Sequence, residues 1–124
     1  MVALPALGAP VPIGSGNAID PAVSGDGRWL SYAAGEKNLD IWIRPWKGGD
    51  ARRLTSGKDD HYQPSLSPDG AMVAYRSETG SGGVYLLRVS GGKPKLLAAG
   101  AARPRFSPST NRLVYIQGDR LFLT

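Results

Sequence analysis

The chain has 124 residues, of which 41% are hydrophobic and 20% are charged, and its net charge is +5. These fractions are ordinary for a globular protein and unlike those of a disordered chain, so we expect the chain to fold. The absence of cysteine excludes disulfides, thiol catalysis and thiolate metal sites, but it leaves the compartment open. Gly and Pro interrupt every stretch with helical spacing of apolar residues, which favours an all-β fold.

The beginning of the chain, Met1 to Pro10, lacks the basic start and the long apolar run of a signal peptide. No later segment is apolar over the length that a membrane span requires. We therefore expect a soluble protein without a membrane partner, and its localisation stays unknown. The positive charge suits an acidic partner, but the basic residues are scattered and not interleaved with aromatics, which argues against nucleic acid.

A seven-residue phrase occurs three times along the chain. Pro-Ala-Val-Ser-Gly-Asp-Gly begins at Pro21, Pro-Ser-Leu-Ser-Pro-Asp-Gly begins at Pro64, and the weaker copy Pro-Arg-Phe-Ser-Pro-Ser-Thr begins at Pro104. A period of about forty residues indicates an array of one supersecondary unit. Units of that size are too small to bury a core alone, so the copies must share one.

Each copy of the phrase precedes a set of short β-type segments. Pro, Asp and Gly in the phrase are typical of a hairpin turn, and two further strands and a Gly-Gly turn follow in the first two copies. Four short antiparallel strands per unit are typical of a β-propeller blade. We expect aromatic side chains that recur in register to pack between blades: Trp29, Tyr32, Trp42, Tyr75, Tyr85, Tyr115 and Phe122.

The repeat divides the chain into five parts. We predict an N-terminal lead over residues 1–9, a fourth strand with its connecting loop over 10–20, a first blade over 21–63, a second over 64–103 and a partial third blade of three strands over 104–124. The chain thus begins with the strand that its third blade lacks. Propellers commonly close by completing one blade with strands from both termini.

The combined pattern resembles the TolB-type propeller repeat. The resemblance rests on Ser67-Pro-Asp-Gly70 with Tyr75 after it, the strand Leu39-Asp-Ile-Trp-Ile43, the pair Gly48-Gly49 and Arg53-Leu-Thr55. The stretch from Leu54 to Gly70 is especially similar to bacterial proteins that append such propellers to sensory kinases or winged-helix regulators. The resemblance implies a six-bladed propeller that binds proteins or small ligands, without catalytic residues or cofactors.

Three blades are half of the six that the resemblance implies. Two chains could associate about a twofold axis into one six-bladed ring, which makes a second copy of the chain the first expected partner. In that homodimer, Val11 to Ile13 would add a strand to the third blade of its own chain or of the partner copy. The alternative is a fragment of a larger sensor kinase, regulator or prolyl-oligopeptidase-like enzyme whose active domain is absent.

The predicted loop from Gly57 to Gln63 holds the most varied set of functional groups in the chain. Its side chains could bind a cation or a partner; equally, the acidic pair could be solvated, the histidine could bond a backbone group and the tyrosine could pack on the adjacent blade. Adjacent carboxylates without a third at ligand spacing do not indicate a metal site. The candidates are Asp59, Asp60, His61 and Tyr62.

Three further residues are candidates for binding. Arg103 and Arg105 flank Pro104, where a first strand would line the channel, so they could capture a carboxylate or peptide C-terminus or else balance acidic side chains across the ring. Trp46, which has Ser90 at the matching position, is an interface hot spot or lies flat on its own blade. No nucleophile elbow or phosphate-binding loop is present, so we predict a noncatalytic binding module.

Overall fold

The computed structural model describes residues 7–13 and 16–124, which form eleven strands in three antiparallel sheets. Sheet 1 contains β1 (Ile19–Val23), β2 (Trp29–Ala34), β3 (Asp40–Pro45) and β4 (Arg52–Arg53). Sheet 2 contains β5 (His61–Leu66), β6 (Met72–Ser77), β7 (Gly83–Arg88) and β8 (Lys95–Ala99). Sheet 3 contains β9 (Ala101–Phe106), β10 (Leu113–Gln117) and β11 (Arg120–Leu123). Across these described ranges, no helix has the length and apolarity needed to cross a membrane.

The repeated phrase forms the same turn between the first two strands of sheets 1 and 2. Ser24 Oγ donates to Asp26 Oδ1 at 2.6 Å and accepts the N–H of Trp29 at 3.0 Å. In sheet 2, Ser67 Oγ donates to Asp69 Oδ1 at 3.1 Å in the same way. The hydroxyl and the carboxylate thus bond turn groups that strand pairing leaves free, as the phrase predicts.

The carboxylate of Asp26 makes folding stability depend on pH. Hydrogen bonds from Ser24 and Arg28 lower the pKa of Asp26 to about 2. Because this pKa lies below its unfolded value, the carboxylate's contribution to stability is complete above roughly pH 4 and is lost as the pH falls towards 2. We expect the free energy of urea unfolding to fall less for Asp26→Asn than for wild type over this range. Equal pH slopes would contradict the role given to this carboxylate.

Sheets 1 and 2 pack face to face over the main apolar core. Sheet 1 contributes Ala33, Ile41 and Ile43, and sheet 2 contributes Leu66, Val73, Tyr75 and Leu87. At the edge of this core the Trp29 ring lies under the turn at Gly70. A Cβ at Gly70 would lie 2.3 Å from the Trp29 ring, and the φ of Gly70 is +74°, so only glycine suits this position.

The first strands of the sheets begin earlier than the phrase predicts. β1, β5 and β9 begin at Ile19, His61 and Ala101, each two or three residues before its proline. The residue directly before each proline has a positive φ: 56° at Asp20, 55° at Gln63 and 55° at Arg103. The strand pairing shifts register across each of these sites, so a bulge lets the strand extend through a residue that sequence reasoning assigned to a loop.

The predicted core aromatics differ in burial. Tyr75 is buried, and Phe122, on a sheet with three strands, is 37% exposed. The Tyr75 and Tyr85 rings stack at 6.1 Å between centroids, and those of Tyr115 and Phe122 stack at 5.5 Å. The remaining members are half-buried: Trp29, Tyr32, Trp42, Tyr85 and Tyr115.

The segment Val11 to Ile13 lies outside every strand of the described chain. Arg44 Nη1 on β3 donates to the Ile13 carbonyl oxygen at 3.4 Å, so the segment lies beside sheet 1. Its predicted pairing with sheet 3, in either copy, stays a prediction.

The turns made by the repeated phrase converge at one end of the molecule. The Asp26 N–H donates to the Pro68 carbonyl oxygen at 2.9 Å, which joins the turns of sheets 1 and 2. A Cβ on Gly25 would lie 1.8 Å from the Pro108 carbonyl oxygen, so the turns of sheets 1 and 3 also touch. The turn of sheet 1 therefore contacts the turns of both other sheets within a single chain.

Candidate functional site

A buried polar cluster lies at the seam between sheets 1 and 2. Asp40, Thr55 and His61 are each 7% exposed. Thr55 Oγ1 donates to Asp40 Oδ1 at 2.9 Å and accepts the Ile41 N–H at 2.9 Å. His61 Nε2 lies 4.0 Å from Asp40 Oδ1. Burial raises the pKa of the Asp40 carboxyl, and the Thr55 hydrogen bond opposes that rise.

The prediction that His61 belongs to a loop is wrong, because the residue begins β5, where it is buried. Its ring meets the Tyr75 ring edge-on, with centroids 5.6 Å apart. Among the described residues, no protein group forms a hydrogen bond with His61 Nδ1. The histidine also lines a groove of about 420 Å³, which we call the seam groove. Its other lining residues are Leu54, Thr55, Ser56, Tyr75, Ser77, Thr79, Tyr85, Leu87, Gly92 and Pro94.

The two acidic residues before His61 fasten the connection between sheets 1 and 2. Asp60 Oδ1 accepts the Leu39 N–H at 2.8 Å, and the Asp59 carbonyl oxygen accepts from Asn38 Nδ2 at 3.3 Å. Within residues 7–13 and 16–124, no group of three or more His, Cys, Asp or Glu side chains could hold a metal ion. The contacts seen for Asp59 and Asp60 join this connection to Asn38 and Leu39.

Tyr62 belongs to a network at the rim of sheet 2 that sequence reasoning missed. Its hydroxyl donates to Glu78 Oε1, and Arg76 donates to both carboxylate oxygens of Glu78 at 3.0 and 3.1 Å. The hydrogen bond to Glu78 raises the pKa of Tyr62, and the Arg76 hydrogen bonds lower the pKa of Glu78. Arg76 Nη1 also donates to the Ala101 carbonyl oxygen at 2.8 Å, so the network joins sheets 2 and 3.

The residues before the three prolines form a hydrogen-bonded series across the first strands, here called the inner-strand series. Asp20 Oδ2 accepts the Gln63 N–H at 3.0 Å, and Gln63 Oε1 accepts the Arg103 N–H at 2.9 Å. An arginine side chain carries no acceptor, so the series ends at Arg103. Arg105 is exposed on the same strand, and its Nη1 lies 3.4 Å from the Pro64 carbonyl oxygen.

Trp46 lies on the turn after β3 and is 56% exposed. The backbone N–H of Trp46 donates to the Arg28 carbonyl oxygen at 2.8 Å. This bond fixes the turn but leaves much of the indole at the surface. Its role as a contact for a partner stays a prediction.

Solved structures share this arrangement of sheets. A putative TolB from Agrobacterium tumefaciens superposes with a TM-score of 0.72 at 24% sequence identity, over 88% of this chain and 46% of that one. The fold is that of TolB-like β-propellers. TolB from Acinetobacter baumannii gives a TM-score of 0.69 at 21% identity, over 86% of this chain and 28% of that one. No protein-family model and no curated protein sequence matches the chain. The chain spans less than half the length of either propeller protein.

The TolB-like fold confirms the resemblance drawn from the repeated phrase. Sheets 1, 2 and 3 are accordingly called blades 1, 2 and 3 from here on. Neighbouring blades of a propeller pack face to face, so a blade at the end of a series has one face without a neighbour.

Blade 3 has such an uncovered face, made of the residues that alternate along β10 and β11. Ile116 pairs with Leu121 and Val114 pairs with Leu123. Ile116 is 40% exposed, Leu121 is 72% exposed and Leu123 is 59% exposed. A contiguous apolar surface of this kind is typical of an interaction site.

Blade 1 has an uncovered face on the side opposite the main core. Leu30 and Tyr32 alternate with Ser31 and Ala33 along β2, so they point away from blade 2. They border an apolar cavity of about 380 Å³ that Ile13 also lines. This face lacks a packed blade within the described chain and has only a short segment beside it, although Leu30 is only 8% exposed and Tyr32 is half-buried.

Proposed function

We propose that the chain is a noncatalytic binding module that associates with a second copy of itself to complete a six-bladed ring. The observation that carries the proposal is the match between the two uncovered faces. Leu121 and Leu123 of blade 3 pair opposite Ile116 and Val114, as Ile41 and Ile43 of blade 1 pair opposite Ala33 and Ser31. Placing blade 1 of a second copy on blade 3 would therefore repeat a contact already present in the chain.

The surfaces on which these two apolar faces would pack also correspond to each other. Ile41 and Ile43 pack with Val73 and Tyr75 of blade 2. The positions of Val73 and Tyr75 in the repeat are held in blade 1 by Leu30 and Tyr32, on its uncovered face. In each copy, the face of blade 3 that carries Leu121 and Leu123 can thus pack on the face of blade 1 that carries Leu30 and Tyr32 in the other copy. A twofold arrangement forms this contact twice, so no blade face is left without a neighbour.

Charge at the ends of the inner-strand series favours the same closure. The series begins with the carboxylate of Asp20 and ends with the guanidinium of Arg103, which accepts no further N–H. In the ring, Arg103 of one copy would lie beside Asp20 of the other. Opposite charges at the joint favour this register and oppose the reversed one.

The N-terminal segment, Val11 to Ile13, lies beside the joint at which blade 3 of a second copy would pack on blade 1. Ile13 borders the uncovered face of blade 1, against which blade 3 of the second copy would pack. That blade has three strands, so the segment would supply its fourth. Closing the blade in this way removes an unpaired strand edge.

The ligand that suits the ring is a peptide or small molecule with a carboxylate. Arg103 and Arg105 are exposed on β9, and two copies would direct four guanidinium groups towards one channel. Arginine binds carboxylates through paired hydrogen bonds, whereas the first strands offer no activated nucleophile beside a base. We therefore assign binding rather than catalysis to this region.

The second candidate is a segment of a longer propeller, and the partial coverage of the TolB structures favours it. In that case further blades of the same polypeptide would cover both uncovered faces. The 124-residue chain alone would then have no reason to form a dimer of defined mass.

Gly25→Ala should raise the dimer fraction at a given concentration. In a six-bladed ring, the turns of blades 1 and 3 would lie farther apart than the turns of adjacent blades. The contact between Gly25 and Pro108 would therefore exist only in the monomer. The added methyl group would clash there, since its carbon would lie 1.8 Å from the Pro108 oxygen. An overpacking cost of roughly 1–3 kcal/mol falls on the monomer alone. Sedimentation velocity over a concentration series measures the shift.

Gly8→Ala is the matched control for this experiment. A Cβ at Gly8 meets no atom within 4 Å, and the residue precedes the segment proposed to close the partner's blade, so the substitution should leave association unchanged. A dimer fraction in Gly25→Ala no higher than in Gly8→Ala would contradict a ring whose turns separate.

A further inference from the structure

A groove with a basic lining lies beside the turn between β7 and β8 of blade 2. It has a volume of about 360 Å³, and three exposed cationic side chains line it: Arg88, Lys93 and Lys95. We call it the basic groove. Its lining contains no Asp or Glu side chain among the described residues. The other lining residues are Met72, Leu86, Leu87, Gly91 and Gly92.

Arg52 of blade 1 adds a fourth cation beside the same turn. Its Nη2 donates to the Val89 carbonyl oxygen at 2.7 Å, which holds the guanidinium at the edge of blade 2. Within the part of the chain that the structure describes, no carboxylate oxygen lies within 4.0 Å of Arg52 or of the three cations in the lining. Like charges close together repel one another, and an anion bound between them would relieve that repulsion.

The cations of the basic groove are absent from the matching turn of blade 1. Strand pairing and the Gly-Gly turn match their positions to Pro45, Asp50 and Arg52, whose charges cancel. The two Gly-Gly turns nevertheless share one backbone conformation, with φ values of 124° and 120° in blade 1 and 126° and 118° in blade 2. The turn therefore forms without these cations, and their clustering in blade 2 favours a role in binding.

The rest of the lining favours a peptide over a nucleic acid. Met72 and Leu86 are half-buried and give the groove an apolar part. A Cβ on Gly91 or Gly92 would meet no atom within 4 Å, so an extended chain could approach the turn closely. No aromatic ring is among the described lining residues, so the groove lacks the stacking surface on which nucleic-acid bases are bound.

We propose that the basic groove binds an acidic peptide segment of a partner protein, with an apolar side chain between its carboxylates. Arg88 can hold one carboxylate through paired hydrogen bonds, and Lys93 and Lys95 attract others as point charges. The apolar side chain would pack on Met72, whose flexible thioether adapts to different shapes. All lining residues belong to blade 2, so this site goes beyond the ring proposed above and does not depend on it.

The test uses the intact ¹⁵N-labelled chain and the peptide acetyl-Glu-Glu-Leu-Glu-Glu-amide. We expect saturable shifts of the backbone amide signals of Gly91, Gly92 and Lys93, with a Kd of about 0.1–1 mM at low ionic strength. Raising the ionic strength to about 0.3 M should weaken binding at least about fivefold, because salt screens exposed charges. A peptide with Gly in place of Leu should also bind at least about fivefold more weakly, because it lacks the apolar contact.

Lys93→Asp should weaken binding of the acidic peptide at least about tenfold, because a repulsion replaces an attraction. We expect this variant to fold, since blade 1 has Asp50 at the matching position. Lys58→Asp is the matched control. Lys58 is exposed on the connection between β4 and β5, outside the groove, and its substitution changes the net charge equally. The control should bind within about twofold of wild type, because salt screens distant charges.

Four outcomes would overturn the proposal. The first is the absence of saturable shifts at the amides of the groove, and the second is equal binding of the peptides with Leu and with Gly. The third is equal weakening by Lys93→Asp and Lys58→Asp, which would assign binding to the net charge of the chain. The fourth is tighter binding of an oligonucleotide of equal charge at the same amides, which would make the partner a nucleic acid. Sedimentation of the same samples reports on the ring separately, so either proposal can fail without the other.

Discussion

Leu121→Asp should convert the ring into single chains. Leu121 is 72% exposed on the uncovered face of blade 3, and in the ring it would be buried against Leu30 and Tyr32 of the second copy. The twofold ring has two equivalent joints between the copies, and the substitution alters both. A loss of about 2 kcal/mol at each weakens association by about 4 kcal/mol, or on the order of a thousandfold in Kd. Light scattering at micromolar concentration should report the mass of one chain.

The matched control is Leu96→Asp. Leu96 is 46% exposed on β8, the edge strand of blade 2, and belongs to neither uncovered face. We expect this variant to keep the wild-type mass. A dimer that survives Leu121→Asp would show that blade 3 does not form the joint between the copies.

Asp40→Ala should lower the free energy of unfolding by about 3 kcal/mol, because it removes one partner from a buried polar cluster and leaves the others unsatisfied. The Thr55 hydroxyl loses its acceptor, and the His61 ring loses the carboxylate at 4.0 Å. Urea denaturation at neutral pH measures the loss. Asp40→Asn should retain part of the stability, because its amide oxygen still accepts from Thr55.

Asp119→Ala controls for the loss of a carboxylate. Asp119 is exposed on the turn between β10 and β11, so its removal should change stability by less than about 0.5 kcal/mol. If Asp40→Ala lowered the free energy of unfolding as little as Asp119→Ala, the hydrogen bonds of the cluster would not stabilise the fold.

The repeated phrase predicted the turns because their hydrogen bonds are local. Ser24 and Asp26 bond within one turn, and Ser67 and Asp69 do so in the next, so short sequence spacing is enough to identify the arrangement. The alternation of apolar residues located the main strands for a similar reason. TolB-like architecture then followed from four-stranded units at a period of about forty residues.

The inner-strand bulges could not be predicted in this way. Asp20, Gln63 and Arg103 share a positive φ, yet they are three different residue types and none is glycine. Residues before proline ordinarily favour extended conformations, so local preference pointed away from the observed backbone. The series of hydrogen bonds between blades supports this conformation, and it exists only after the blades have packed.

The seam cluster was missed for a related reason. Asp40 and Thr55 were read as ordinary strand residues, and His61 was read as part of a loop. They meet because β3 and β5 belong to adjacent blades that pack together. A signal was nevertheless present in the sequence, since all three positions depart from the second copy of the repeat at once, with Gly83, Ala98 and Ala101 as their counterparts.

The mass of the intact chain in solution tests the central claim most directly. Light scattering coupled to size exclusion, over a concentration range from micromolar to millimolar, would determine it. The two-chain ring predicts a monodisperse species of twice the 13.1 kDa chain mass. A monodisperse species of 13.1 kDa at every concentration would contradict the ring.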